Sequence, residues 1–216
     1  MKNKDIHLRN ASFTGLAFVI LGYMVKFYPQ HLEYFDAIIH EFVRGELPAF
    51  ATYFWASVTI LGNTSVVFGI CFAFACFFYW KNWLAELYLI LASFVVMGVA
   101  STALKYVYQR PRPSLEWLVD TIGYSFPSWH TASTMMVAGV LVIIINQRSR
   151  QLLLKSFLQG GAILVAVLVA FSRIYIGVHY PTDIIGGWLL AVTLLEIIYP
   201  FYDRKRFEWR FTSKQK

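Results

Sequence analysis

Long apolar runs separated by short polar segments dominate the hydropathy pattern of this chain. A helix crosses the hydrocarbon core of a bilayer with about 20 consecutive apolar residues. Five runs come close to that length: Asn10 to Tyr28, Leu84 to Leu104, Thr131 to Asn146, Gln151 to Phe171 and Thr182 to Tyr199. Each of them predicts a transmembrane helix.

A sixth span is predicted within Leu47 to Tyr79, which is apolar almost throughout. Gly62-Asn63-Thr64-Ser65 interrupts this run with residues that break or cap helices. The half from Thr64 to Trp80 resembles a span, whereas Leu47 to Leu61 is shorter and predicts an interfacial or re-entrant helix. The predicted fold is therefore all-α, an integral membrane bundle of six transmembrane helices with an interfacial helix between spans 1 and 2. We expect one membrane-embedded domain over residues 1–216.

The composition agrees with a membrane protein and excludes an ordinary soluble domain. Hydrophobic residues make up 58% of the chain and charged residues only 14%. The net charge of +7 is spread over short loops and tails, so we expect a lipid bilayer as partner and no nucleic acid. Cys71 and Cys76 share one apolar run and are interpreted as packing residues, and two cysteines make no metal site.

The basic residues predict the orientation of the bundle. Six spans place 13 of the 19 Lys and Arg residues on the side of the two termini. These are Lys2, Lys4, Arg9, Lys81, Arg148, Arg150, Lys155, Arg204, Lys205, Arg206, Arg210, Lys214 and Lys216. Because cytoplasmic loops carry the excess of basic residues, the tails 1–9 and 201–216 are expected in the cytoplasm. A plasma membrane, bacterial for so small a protein, is the expected location, with the first span retained.

Three polar segments are predicted to meet at the opposite, extracytoplasmic end of the bundle. They are Lys105-x6-Arg112-Pro113, Pro127-Ser128-Trp129-His130, and Ser172-Arg173-x5-His179-x3-Asp183. Two spans separate His130 from Ser172, so the chain returns to the face that it left. Charged groups at the edge of a bilayer are costly unless solvated, paired or used, which makes this cluster a candidate functional site.

The residue types in these segments suit chemistry on a phosphate. Three cations, Lys105, Arg112 and Arg173, together with the Ser128 hydroxyl and backbone amides, would make a phosphate cradle. Asp183 lies four residues after His179 and can hold the tautomer of its imidazole. In a soluble protein the same spacing would more often be a capped helix start with a surface ion pair.

The two histidines could divide a displacement reaction between them. One would attack phosphorus while the other protonates the leaving oxygen. Asp183 is the only acid within the three segments, so no carboxylate cluster is available for a two-metal site. We therefore expect neither a metal nor a cofactor.

The three segments resemble the signature of the type-2 phosphatidic acid phosphatase family, which also includes vanadium haloperoxidases and glucose-6-phosphatase. The signature reads K-x6-R-P, P-S-G-H and S-R-x5-H-x3-D, and ten of its eleven fixed positions match this chain. The resemblance implies that His179 forms a phosphohistidine, that Asp183 orients it, and that His130 protonates the leaving group and later helps to activate water. It also implies binding of the phosphoryl oxygens by four matched side chains: Lys105, Arg112, Ser128 and Arg173.

One position departs from the signature, because Trp129 stands where the family has glycine. Its backbone N–H can still donate to a phosphate, so Trp129 is included among the phosphate-binding residues. Its indole is interpreted either as a contact that shapes lipid access or as a tryptophan of the interfacial aromatic belt.

Other polar residues are given less prominent roles by the sequence. Arg110, Glu116 and Asp120 are expected as loop residues in solvent, and His31 and His40 as surface positions. Glu196 is expected to reach the interface or to pair with a neighbour, and Gly160-Gly161 and Gly186-Gly187 to allow close helix packing.

The resemblance implies a membrane lipid phosphatase that hydrolyses a phosphate monoester, phosphatidylglycerophosphate or phosphatidic acid, at the outer face of the membrane. The alternative within this class is an undecaprenyl or other polyprenyl diphosphate phosphatase. A lipid phosphotransferase and a catalytically silent lipid-binding protein are the remaining alternatives. Neither the oligomeric state nor the identity of the lipid follows from the sequence.

Overall fold

A computed structural model describes residues 4–212 of the protein, and these residues form eight α-helices and one short 3-10 turn. The helices are α1 (Lys4–Phe27), α2 (Gln30–Arg44), α3 (Ala49–Thr59), α4 (Thr64–Trp80), α5 (Leu84–Tyr108), α6 (Trp129–Arg148), α7 (Leu152–Tyr175) and α8 (Pro181–Phe211). The 3-10 turn, Ile60–Gly62, joins α3 to α4.

The predicted six-span bundle is confirmed. Five helices, α1, α5, α6, α7 and α8, are each long and apolar enough to cross a membrane alone. The pair Ala49–Gly62 and Thr64–Trp80 is apolar enough to make a sixth span when its two halves, bent by 53° at Asn63, are taken together. The predicted break in the run from Leu47 to Tyr79 is therefore a bend within one broken or re-entrant span.

Helix α2 was not predicted, because its sequence is too polar to resemble a span. It begins after Pro29 and ends at Gly45, whose positive φ of 49° suits a residue without a side chain. Its buried residues, Leu32, Asp36 and His40, recur every four positions and so form one stripe that packs on α7 and α8. The prediction that His40 lies at the surface is wrong, whereas His31 is exposed as expected.

The two glycine pairs, Gly186-Gly187 and Gly160-Gly161, differ in how closely other residues pack against them. A Cβ atom on Gly186 would lie 2.4 Å from the Phe126 ring, and one on Gly187 would lie 3.1 Å from the Ser128 carbonyl oxygen. Close packing therefore requires these two glycines at the start of α8. Gly160 and Gly161 have open space around them, so the close packing predicted there is not found within this chain.

Buried ion pairs join the helices at the end of the bundle that carries the termini. Arg148 of α6 and Arg206 of α8 both reach the fully buried carboxylate of Glu86, at 2.6 and 3.2 Å. Glu196 pairs with His7 of α1, which confirms the predicted pairing with a neighbour. These contacts hold α1, α5, α6 and α8 together far from the three polar segments.

The predicted terminal tails and the cysteine pair differ in part from expectation. Helices α1 and α8 include all of residues 4–9 and 201–211, while Lys2, Lys214 and Lys216 lie outside the described residues. Cys71 is buried in the core, as predicted for a packing residue. Cys76 is exposed on α4, so the same prediction is wrong for it.

Candidate active site

The three polar segments of the sequence meet at one end of the bundle, where α5 and α7 end and α6 and α8 begin. Lys105 lies in the last turn of α5, Arg112 in the loop 109–128, and Arg173 in the last turn of α7. Ser128 and His130 lie at the start of α6, and the Ser128 N–H donates to the backbone oxygen of Asp183 at 3.2 Å. The antiparallel helices thus bring together residues that are up to 78 positions apart, from Lys105 to Asp183.

His179 and Asp183 form a buried pair at the centre of this cluster. The Nδ1 atom of His179 lies 3.2 Å from Oδ2 of Asp183, and their side chains are 2% and 0% exposed. A carboxylate only accepts hydrogen bonds, so the imidazole proton belongs on Nδ1. The other ring nitrogen, Nε2, then carries no proton, and its lone pair accepts from the Arg112 guanidinium at 3.3 Å.

The turn between α7 and α8 explains why this geometry forms. Gly177 has φ of 78°, a conformation that suits glycine, and it reverses the chain after α7. Pro181 begins α8, and the Asp183 carboxylate accepts the backbone N–H of Tyr180 at 3.0 Å as an N-terminal cap. The cap fixes the carboxylate one turn from His179.

The electrostatic surroundings keep His179 neutral at neutral pH. Burial, followed by the positive charges of Arg173, Arg112 and Lys105, lowers the pKa of His179 well below its ordinary value of 6.5. Burial also lowers the pKa of Arg112, and the Asp183 carboxylate opposes that change. A neutral imidazole surrounded by cations is suited to attack on an anionic group.

Backbone carbonyl groups hold Lys105 and Arg112 near His179, and the Thr59 hydroxyl holds Arg173. Lys105 Nζ donates to the Tyr124 oxygen at 2.6 Å, and Arg112 donates to the carbonyls of Gly123 and Val178 at 3.0 and 2.9 Å. Arg173 is buried and donates from Nη1 to the Thr59 hydroxyl at 2.8 Å. Its Nε–H has no hydrogen-bond partner among the described residues. A phosphoryl oxygen is a suitable acceptor for such an unpaired donor.

His130 is oriented by the bend between α3 and α4. Its Nε2 atom lies 2.9 Å from the Asn63 amide oxygen, which accepts and therefore places a proton on that nitrogen. A Cβ atom on Gly62 would lie 2.7 Å from the His130 ring, so only glycine fits there. The broken span thus supplies Asn63 to His130 and Thr59 to Arg173, two contacts that sequence reasoning missed.

Trp129 is the first residue of α6, where the leading N–H groups of a helix lack partners within the helix and can bind an anion. Its indole packs on α5, edge to face with Phe94 at a centroid distance of 6.2 Å. The indole Nε1–H is buried and is bonded to no described group. The side chain therefore lies against the neighbouring helix, beside His130.

Arg110 was wrongly predicted to be a solvated loop charge. It is 7% exposed and bridges two carboxylates, Asp36 of α2 at 2.8 Å and Asp183 of α8 at 2.7 Å. Glu116 and Asp120, by contrast, are exposed loop residues as predicted. The four-residue spacing of Leu32, Asp36 and His40 was the one signal in the sequence that pointed to a buried face on α2.

A sequence model of the PAP2 superfamily matches residues 83–207, more than half of the chain and all eight predicted site residues. The chain belongs to the PAP2 superfamily. The resemblance inferred from the three polar segments is confirmed by this match. The predicted all-helical, membrane-embedded architecture of the chain is confirmed as well.

Several characterised PAP2 proteins are similar to the chain. Phosphatidylglycerophosphatase B of Bacillus subtilis is 32% identical over 136 residues, which are 61% of this chain and 64% of that protein. An undecaprenyl-diphosphatase of Sulfolobus acidocaldarius is 33% identical over 105 residues, which are 46% of this chain and 47% of that protein. Each match covers less than two thirds of the relative's own length.

Two solved structures share the fold of this PAP2 protein. The transmembrane PAP2-type phosphatidylglycerolphosphate phosphatase of Bacillus subtilis superposes with a TM-score of 0.82 at 24% identity, over 90% of this chain and 96% of that one. Aquifex aeolicus LpxE superposes with a TM-score of 0.61 at 22% identity, over 76% of this chain and 94% of that one.

Proposed function

We propose that this PAP2 protein is a membrane lipid phosphatase that hydrolyses a phosphate monoester, phosphatidylglycerophosphate or phosphatidic acid, through a phosphohistidine. The observation that carries the proposal is the neutral, buried His179, whose Nδ1–H faces Asp183 and whose Nε2 lone pair faces the cations. This arrangement suits a nucleophile that must approach a dianion.

The reaction would proceed in two displacements at phosphorus. In the first, His179 Nε2 forms a bond to phosphorus while the bond from phosphorus to the lipid oxygen breaks, and His130 gives that oxygen its proton. In the second, His130 removes a proton from water, the hydroxide displaces His179, and inorganic phosphate leaves. Lys105, Arg112 and Arg173, with the Ser128 hydroxyl and the first N–H groups of α6, would bind the phosphoryl oxygens in both steps.

The relatives support two lipid classes. Phosphatidylglycerophosphatase B proteins from Bacillus subtilis and Haemophilus influenzae favour the monoester, and the latter is 27% identical over 186 residues. Two undecaprenyl-diphosphatases, one of them from Bacillus subtilis at 28% identity, favour the alternative of a polyprenyl diphosphate. The same phosphohistidine would also permit transfer of the phosphoryl group to an acceptor other than water.

A phosphate-release assay in detergent tests the proposal and separates these alternatives. We expect the purified protein to release phosphate from phosphatidylglycerophosphate or phosphatidic acid faster than from undecaprenyl diphosphate, with unchanged rates in EDTA. Vanadate, which adopts the five-coordinate geometry of the transition state, is expected to inhibit. Faster release from the diphosphate would favour the alternative. No release from any lipid, or inactivation by EDTA with recovery on added Mg²⁺, would contradict the proposal.

The site is proposed to face outward from a plasma membrane, with both termini in the cytoplasm. The distribution of basic residues supports this orientation, and the described residues place Glu116 at the site end and Gln147 at the opposite end of α6. We expect Glu116→Cys, in a background with Cys71 and Cys76 replaced, to react with an impermeant thiol reagent in intact cells. Gln147→Cys should stay unlabelled until the cells are lysed, and the reverse pattern would mean a cytoplasmic site.

A further inference from the structure

A second set of buried charges lies on the Nδ1 side of His179, opposite the edge that faces Arg112. Asp183 receives His179 on one carboxylate oxygen and the Arg110 guanidinium on the other, at 3.2 and 2.7 Å. The second amino group of Arg110 reaches Asp36 of α2 at 2.8 Å. Four side chains thus form one continuous series of contacts, His179 to Asp183 to Arg110 to Asp36.

Helix α2 is fixed in place by contacts to the same turn. Both carboxylate oxygens of Asp36 accept from Thr182, one from its backbone N–H at 3.0 Å and the other from its hydroxyl at 2.8 Å. His40, one turn further along α2, donates from Nε2 to the backbone oxygen of His179 at 3.0 Å. The Tyr180 ring covers the Arg110 guanidinium at 3.8 Å. Asp36 and Arg110 are therefore each held by contacts to more than one residue.

The charges of this series explain why two acids face one arginine. Buried charges are retained only when they are paired, and Asp36 is 1% exposed. With Arg110 alone behind it, the negative charge of Asp183 would be cancelled and unavailable to His179. Asp36 neutralises Arg110, so one net negative charge remains beside the imidazole. That charge would stabilise the positive charge that the ring acquires when Nε2 attacks phosphorus.

We propose that Asp36 and Arg110 are positioning residues for the His179–Asp183 pair, so that α2 takes part in the reaction from outside the catalytic cradle. The inference rests on the proposed phosphatase function. Asp36 lies outside residues 83–207, the part of the chain that matches the PAP2 superfamily. Helix α2 therefore contributes a positioning residue from outside the region that matches the family.

The test begins with Asp36→Asn, which keeps the shape of the side chain and removes its charge. We expect kcat for the preferred lipid phosphate to fall by about 10- to 100-fold, the loss that is typical when the residue orienting a metal-binding histidine is removed. KM should stay within about twofold of the wild-type value, because Asp36 does not contact the phosphate cradle. Asp36→Glu, which restores the charge, should recover part of the loss. Glu41→Gln removes an equal charge from an exposed position of the same helix and should leave kcat unchanged.

A double-variant cycle shows whether the two residues act through the same group. Arg110→Lys keeps one positive charge but has a single amino group in place of the two that bridge the acids. If both residues act through Asp183, the variant with both changes should be no slower than the slower single variant. Losses in kcat that simply multiply would mean independent roles and would overturn the inference.

Vanadate affinity separates failure of this inference from failure of the proposed function. Vanadate would bind to His179 Nε2, so its dissociation constant reports on the nucleophile whatever the lipid. We expect Asp36→Asn to weaken vanadate binding about tenfold, and the same result would support positioning even if no lipid releases phosphate. A folded Asp36→Asn protein whose kcat and vanadate affinity are both within twofold of wild type would overturn the inference alone. If this variant melts too low to be assayed, the same two measurements on Arg110→Lys decide.

Discussion

His179→Ala is expected to reduce phosphate release to less than about one thousandth of the wild-type rate, because it removes the atom that attacks phosphorus in the proposed mechanism. The wild-type imidazole is neutral at neutral pH, since burial and three cations lower its pKa well below 6.5. Its Nε2 lone pair faces the cradle while Asp183 holds Nδ1. Without the ring, water would have to attack the phosphate directly, and no phosphoenzyme would form.

Phosphate bound covalently to the protein should be measured together with turnover. Phosphohistidine is labile in acid, so the acid-labile fraction reports on the proposed intermediate. The wild type is expected to carry acid-labile phosphate after a rapid quench, and His179→Ala should carry none. His31→Ala, at an exposed position of α2, is the matched control and should behave as wild type. Residual activity well above one thousandth in a variant with normal melting behaviour would show that another group is the nucleophile.

The six spans and the meeting of the three polar segments at one end were predictable because each depends on information that is local in the sequence. Span length is set by bilayer thickness, so long apolar runs identify the helices directly. The site residues fall into three short segments, and counting spans between them is enough to place Lys105, His130 and Asp183 at one end. Only the bend at Asn63 required a choice, and the Gly-Asn pair indicated it.

The surroundings of the site could not be predicted because they depend on contacts between distant segments. Asp36 and Arg110 are 74 positions apart, and neither residue alone distinguishes a buried ion pair from a solvated charge. Helix α2 carries acids and histidines on an amphipathic pattern, which favours a surface helix until α7 and α8 are known to cover its polar stripe. The wrong predictions for Arg110 and His40 have this common cause.

Removal of the second histidine is expected to separate the two displacement steps. His130→Ala should lower the rate on a lipid monoester by about 10²- to 10⁴-fold, the usual contribution of a general acid, because the lipid alkoxide leaves poorly without a proton. p-Nitrophenolate is a much better leaving group and needs no proton to depart. With p-nitrophenyl phosphate the first step should therefore survive in the variant, while the second step, which needs His130 to activate water, should be slow.

The expected signature is a burst. In His130→Ala, p-nitrophenyl phosphate should release about one equivalent of p-nitrophenol per protein molecule as the phosphohistidine accumulates, followed by slow turnover. The lipid monoester should give no burst, because its first step is already impaired. The double variant with His179→Ala should lose the burst entirely. Equal impairment of both substrates in the first step would mean that His130 binds phosphate rather than transferring a proton.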